Sequence, residues 1–406
     1  MRRPFVTGIV AAVCAAALSS CATMTPQQAL GASVDRIIGA PPFQHAIWAV
    51  DVEDGAGRVL YSHAAGRLMM PASNRKLFSA ATDVECLGRD TRLSTELWLA
   101  GRDVVLRGDG DPSFGSARRE SPGFAPFVAA LEARGITSVG DVVADVARFD
   151  RVTIPGGWKH GNLGSDYAAP IDALAFDENV SGDHSVADAG MWAASSLRDA
   201  LVLAGIRVDG IVRVVTSGDP CGASAGGDPC ALVASVESPT IAELLTVALK
   251  NSHNLYAEML FKRSSESGSY DESEWLERQF LTAEVGVDPA QFHFVDGCGL
   301  APDDLVTPAS IVTILRWMNQ PARRGFWWTL LAHPGGEGTL HNRLPDLAGR
   351  MVGKTGTING VNAISGIVAG RHGGYRIFSV ILNHHLAASH DVVAALDAVV
   401  ERIADF

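Results

Sequence analysis

Three apolar runs near one end of this 406-residue chain follow each other with only short turns between them: Arg350 to Thr355, Val361 to Ala369 and Tyr375 to Asn383. Runs of this length, rich in Val and Ile and punctuated by glycine, read as consecutive antiparallel strands. A helical pattern from Ala388 to Ile403 closes them. Near the other end, Pro26 to Ile38 reads as an amphipathic helix. Ala46 to Val52 and Arg58 to Ser62 then flank Glu53-Asp54-Gly55-Ala56-Gly57, a hairpin signal. Both sets of strands are expected in one central antiparallel sheet flanked by helices, an α/β (α+β) architecture. The Val-, Gly- and Asp-rich block at 93–235 then has to be an inserted smaller domain within a main domain formed by 27–92 and 236–406.

The first residues read as a targeting segment. Arg2 and Arg3 precede a short apolar stretch from Phe5 to Leu18, too short to span a bilayer as a helix. Leu18-Ser19-Ser20-Cys21 resembles a bacterial lipobox, which implies a signal peptide over 1–20, lipid on Cys21 and a tether over 21–26. Ala22 after that cysteine points to a periplasmic protein anchored to the outer membrane through its N-terminal lipid. The formal net charge of -12 argues against nucleic-acid partners, which demand basic stripes.

Cys221 and Cys230 flank a Gly/Ala/Asp-rich stretch. In an oxidising compartment they read as a small disulfide-closed loop. No His or second cysteine pair accompanies them, so no metal site is expected. Cys86 and Cys298 are expected as two buried thiols, with a bridge as the alternative.

Lysine is scarce. The chain has five lysines against 28 arginines, and one lysine stands three residues after a serine, in Ser73-Asn74-Arg75-Lys76. Arginine keeps its proton in a protein, whereas a desolvated lysine can lose it. Leu77, Ala80, Ala81 and Val84 recur at helical spacing up to Gly88. Ser73 is thus expected at a helix N-terminus with Lys76 on the same face. That makes Ser73 a candidate nucleophile and Lys76 its base.

Ser252-x-Asn254 and Lys354-Thr355-Gly356 follow in that order. Each motif alone is weak. The ordered set matches the signature of penicillin-binding proteins and serine β-lactamases. The wider contexts are Asn251-Ser252-His253-Asn254-Leu255-Tyr256-Ala257-Glu258, Gly108-Asp109-Gly110-Asp111-Pro112, Tyr167-Ala168-Ala169-Pro170, Asp296-Gly297-Cys298-Gly299-Leu300 and Gly338-Thr339-Leu340. With these the chain resembles the D-alanyl-D-alanine carboxypeptidase/endopeptidase family of class C low-molecular-mass penicillin-binding proteins.

The resemblance implies a penicillin-binding/serine β-lactamase-like domain and a cofactor-free serine peptidase. Its substrates would be peptidoglycan stem peptides and its inhibitors β-lactam antibiotics. Ser252 would relay a proton, Asn254 would hold Lys76 or the substrate amide, and Lys354 would face the substrate's terminal carboxylate and depress Lys76. Thr355 and Thr357 would donate from their hydroxyls, while Gly356 lets the strand approach. Backbone N–H groups of Ser73 and Thr357 would form the oxyanion hole. Two departures stand out. Cys298, Ala301 and Pro302 replace two serines and an arginine of the family's Asp-Gly-Ser-Gly-Leu-Ser-Arg turn, and a nested subdomain is expected to be missing after Asn179. A β-lactamase-like hydrolase and an inactive lipoprotein scaffold are the alternatives. His253 between the two motif residues is expected to be structural, and Tyr167 either lines the cleft or packs.

Overall fold

A computed structural model describes residues 24–218, 220–221 and 230–406. Five strands form the first sheet in the order Met351–Ile358, Val361–Ala369, Tyr375–Asn383, Ile47–Asp54, Val59–His63. Every neighbouring pair is antiparallel. The two chain ends meet in its middle, where Ile47 pairs with Asn383 and Asp54 with Arg376.

Strand alternation explains the layers. Trp48, Val50, Ile364, Val368, Val380 and Leu382 face one way. They pack on Leu30 and Val34 of the helix Pro26–Ile38 and on Val392 and Val399 of the helix Ser389–Asp405. Ala49, Ala363, Ile367, Ile377 and Ile381 face the other way, in the cluster that holds Leu77 and the helix Pro308–Met318. The central strands are buried on both faces, which is why they read as continuous apolar runs. The edge strand runs to Ile358, three residues past the expected end at Thr355, so Thr357 is still in the ladder opposite Asn362.

A second five-stranded sheet, in the order Val212–Val215, Val142–Asp145, Asp103–Gly108, Arg92–Ala100, Ala231–Thr240, mixes parallel and antiparallel pairs. The chain enters and leaves it through the neighbours Arg92–Ala100 and Ala231–Thr240. The helices Ala125–Ala133 and Ala189–Leu203 cover it, and its inward residues Leu97, Val104 and Val142 belong to the same apolar cluster as Leu77.

Cys221 and Cys230 are joined by a disulfide with Cα atoms 5.2 Å apart. The expectation for the other pair needs correcting: Cys298 is buried, but Cys86 is exposed, and both are free. Cys86 lies in the last turn of a helix whose inner face is taken by Leu77, Ala80 and Ala81. The expected leader and Cys21 lie outside the described residues. Among the described residues no helix is long and apolar enough to cross a membrane.

Candidate active site

The segment expected to be one helix from Ser73 begins as a 3-10 turn, Ala72–Arg75, and becomes α-helical only at Lys76. Ala72 is in the left-handed region at φ 46°. The turn is wedged between two glycines. A Cβ at Gly299 would lie 2.0 Å from the Ala72 carbonyl oxygen, and one at Gly356 would lie 3.0 Å from the Ser73 nitrogen and 2.8 Å from the Pro71 oxygen. No side chain fits at either place. The strand edge at Gly356 therefore touches the backbone that carries Ser73.

Lys76 is fully buried. Its Nζ lies 3.0 Å from Ser73 Oγ, 2.7 Å from Asn254 Oδ1 and 2.8 Å from the Cys298 carbonyl oxygen. Burial is the main force lowering its pKa, and the Arg75 charge adds to it, against Cys298, Asp296 and Glu258, which raise it. Lys354 is also fully buried and pushed well down, by burial first and then by the Lys76 charge. The expected causes are desolvation and a like charge, and desolvation leads at both amines.

Lys354 Nζ donates to Ser252 Oγ at 2.9 Å and to the Thr355 carbonyl at 2.7 Å. Ser252 sits at φ 61° in the short link between the helices Ile241–Lys250 and Asn254–Arg263. Backbone in this region is costly for a residue with a side chain and persists where its surroundings hold it. Thr339 N–H donates to the Lys250 carbonyl just before the link, and Gly338 leaves no room there for a Cβ. Asn254 Nδ2 donates to the Tyr167 carbonyl. Tyr167 itself lines the cleft.

Ser73, Lys76, Ser252, Asn254, Lys354 and Gly356 thus converge. Thr357 lines the cleft, its hydroxyl oxygen accepting from Asn362 Nδ2 at 3.1 Å. Thr355 is buried, and its carbonyl accepts from Lys354 Nζ. His253 turns to Glu178, with Nε2 3.3 Å from Oε2.

Sequence reasoning missed the supporting shell. The Asp296 carboxylate accepts backbone N–H bonds from Cys298, Gly299, Leu300 and Ala301, and the indole N–H of Trp158. This fixes the turn that aims the Cys298 carbonyl at Lys76. Glu258 accepts from Gly297 N–H and Tyr270 OH, and burial first, then the Asp296 charge, push it up to about 7. Arg75 makes a buried two-pronged pair with Glu277 at 2.6 and 2.8 Å. Its Nε donates to the Asp296 carbonyl, and its guanidinium lies over the Phe294 ring. Glu258, Asp296 and Cys298 bring three potential metal donors together. Their oxygens are already engaged by N–H and O–H donors, and burial pushes the Cys298 thiol well up. The cluster reads as a hydrogen-bonded scaffold. The signals available were the Asp296-Gly297-Cys298-Gly299-Leu300 stretch itself and the helical spacing that puts Glu258 one turn past Asn254.

The sequence profile of the D-Ala-D-Ala carboxypeptidase 3 (S13) family matches residues 30–184 and 180–403. The chain belongs to that family. The two matched stretches meet at residues 180–184, where Val180–Ser181 and His184–Ser185 close a tight hairpin, directly after Asn179. The D-alanyl-D-alanine carboxypeptidase of Actinomadura sp. (strain R39) is 27% identical over 460 residues, covering 92% of this chain and 84% of that one. Carboxypeptidase DacB of Mycolicibacterium smegmatis is 28% identical over 374 residues, covering 84% and 77%. Among solved structures, penicillin binding protein 4 (dacB) of Haemophilus influenzae superposes with a TM-score of 0.81 at 17% identity, over 92% of this chain and 99% of that one. That likeness bears out the mixed α/β fold with its antiparallel sheet.

Proposed function

We propose that this S13 family member is a serine-type D-Ala-D-Ala carboxypeptidase acting on peptidoglycan stem peptides through an acyl-enzyme on Ser73, with β-lactams as acylating inhibitors. One observation carries the assignment of roles. The buried Lys76 amine touches the Ser73 hydroxyl and two oxygens that can only accept. A neutral amine has two N–H donors and one lone pair. Asn254 Oδ1 and the Cys298 carbonyl use the donors, which leaves the lone pair for the Ser73 O–H.

Ser73 Oγ then bonds to the scissile carbonyl carbon while its proton passes to Lys76. The C–N bond to the terminal D-Ala breaks, and the leaving nitrogen takes a proton through Ser252, which Lys354 orients. Water releases the shortened peptide and restores Ser73. The Ser73 and Thr357 N–H groups receive the oxyanion. The substrate's terminal carboxylate favours the charged form of Lys354, offsetting its burial. No Asp or Glu is among the described residues that line the cleft. That speaks against a carboxylate-activated deacylating water of the class A β-lactamase kind.

The same chemistry extends to cross-linked peptides, as a DD-endopeptidase. We read 93–235 as an inserted unit within 27–92 and 236–406. We also read the mature chain as periplasmic, anchored to the outer membrane through lipid on Cys21. Digesting the penicillin-labelled protein and mapping the adduct tests the central claim. The adduct is expected on Ser73, and Ser73→Ala should stay folded and lose the label. An adduct elsewhere overturns the assignment.

A further inference from the structure

Thr357 and Asn362 stand opposite each other in the ladder between Met351–Ile358 and Val361–Ala369, so their side chains share one face of the sheet. Thr357 is exposed and Asn362 is buried, and both line the cleft at Ser73 together with His385. Asn362 Nδ2 lies 3.1 Å from Thr357 Oγ1, and Asn362 Oδ1 lies 2.8 Å from His385 Nε2. The position of His385 is built. Two residues before it the strand Tyr375–Asn383 ends on a clamp, where Asn383 Oδ1 accepts from the Met70 N–H at 2.9 Å and Nδ2 donates to the Met70 carbonyl at 3.1 Å. His384 then takes φ 56°, a conformation uncommon for a residue with a side chain.

Such a chain of hydrogen bonds can run in two directions. In one, His385 Nε2–H donates to Asn362 Oδ1, and Asn362 Nδ2–H donates to Thr357 Oγ1. In the other, the Asn362 amide is turned over, its N–H donates to His385 Nε2, and the Thr357 O–H is spent on the amide oxygen. A neutral imidazole carries one N–H, so the second direction puts that proton on Nδ1. Nδ1 is buried and has no hydrogen-bond partner among the described residues. Orphaned buried N–H groups are rare. The proton therefore belongs on Nε2, and the first direction holds. Thr357 Oγ1 then accepts from Asn362 and keeps its own proton to give away on the cleft side.

We propose that His385 is a positioning residue, which acts through Asn362 to turn the Thr357 hydroxyl proton toward the substrate's terminal carboxylate. The inference rests on the carboxypeptidase reading above, in which that carboxylate docks beside Lys354 and Thr357. A carboxylate only accepts, so a threonine whose proton is spent inward would face it lone pair to lone pair. Without His385, nothing among the described hydrogen bonds of Asn362 fixes which way its amide is turned.

The test follows acylation of Ser73 by benzylpenicillin and by its methyl ester. The penicillin carboxylate stands in for the peptide's terminal one, and the ester removes its charge. His385→Ala should slow the acid roughly 10-fold, the scale of one hydrogen bond to a charged group, and leave the ester near its wild-type rate. The loss should sit in the dissociation constant that precedes acylation rather than in the limiting rate. His385→Gln, whose amide N–H reaches about as far as Nε2, should recover most of it. In a Thr357→Ala background, His385→Ala should cost nothing further. Melting temperatures check that the variants are folded. Equal losses on acid and ester overturn this inference. So does an unchanged rate with the acid, or a full extra loss in the Thr357→Ala background. Each of these leaves the Ser73 acyl-enzyme standing, whereas folded wild type that gains no adduct on Ser73 overturns both.

Discussion

The Cys298 carbonyl oxygen lies 2.8 Å from the Lys76 amine because the Asp296 carboxylate gathers the four N–H groups of residues 298–301 beneath it. A fixed acceptor on one side of the amine helps decide where its lone pair points. The placement of the Lys76 amine is thus set by a carboxylate that never touches it.

Asp296→Asn replaces one accepting oxygen with an N–H₂ group that faces N–H donors. Hydrogen bonds to a charged acceptor contribute about 1.5–3 kcal/mol each. The variant should lose stability on the order of 3 kcal/mol and slow β-lactam acylation about 10- to 100-fold. Urea unfolding and stopped-flow acylation measure the two. A variant that acylates at the wild-type rate would show that the turn does not orient Lys76.

Lys76→Arg puts a permanent cation in place of a group that can give up its proton. Acylation should drop by roughly 10²–10⁴-fold, the usual span for a lost general base. Burst amplitude with a fluorescent penicillin reads this directly. Near-normal labelling would make Lys76 a purely electrostatic element.

Gly356→Ala places a methyl 2.8 Å from the Pro71 oxygen and 3.0 Å from the Ser73 nitrogen, both rigid backbone. Overpacking of this kind costs about 1–3 kcal/mol. The strand must move away from Ser73 to relieve it, so acylation should suffer more than the melting temperature does. Melting loss with unchanged acylation would show that the strand edge and the Ser73 turn need not touch.

Glu258 provides a pH signature. Its carboxyl ionises near 7 in the folded protein, against 4.5 ordinarily, because burial and then Asp296 oppose its charge. Between those values the folded state binds more protons than the unfolded chain. Its contribution is therefore fully present below about 4.5 and is lost as pH rises toward 7. Glu258→Gln removes that titration. The stability gap between wild type and variant should shift in the variant's favour by up to ~3 kcal/mol from pH 4.5 to 7.5, as read by urea midpoints. A gap that does not change with pH would mean that Glu258 keeps its ordinary pKa.

Much of the first sheet was legible because Val361–Ala369 and Tyr375–Asn383 are buried on both faces and carry no polar interruption long enough to blur them. The three motifs were legible because they are short and locally spaced. The helix start was misplaced by three residues because Ala72 in the left-handed region, held by Gly299 from a distant turn, bends the backbone before Lys76. Asp296, Arg75, Glu277 and Trp158 were not legible as a shell. Their partners lie far away in sequence, 202 residues for Arg75 and Glu277, and no local pattern records such a pairing. The outward turn of Cys86 depended on which face of its helix the core claimed.

The pairing of Ile47–Asp54 with Tyr375–Asn383 has a temporal consequence. As the chain is synthesised, its first strands have to wait for nearly its last before they gain their central neighbour, and contacts this distant in sequence form slowly. The edge that carries Lys354 and Gly356 joins the N-terminal hairpin only through those late strands. The second sheet, whose first and last strands pair within residues 92–240, can assemble earlier. Catalytic competence therefore arrives at the end of assembly, and a chain cut short before Tyr375 carries Ser73 and Lys76 without the sheet that completes their site.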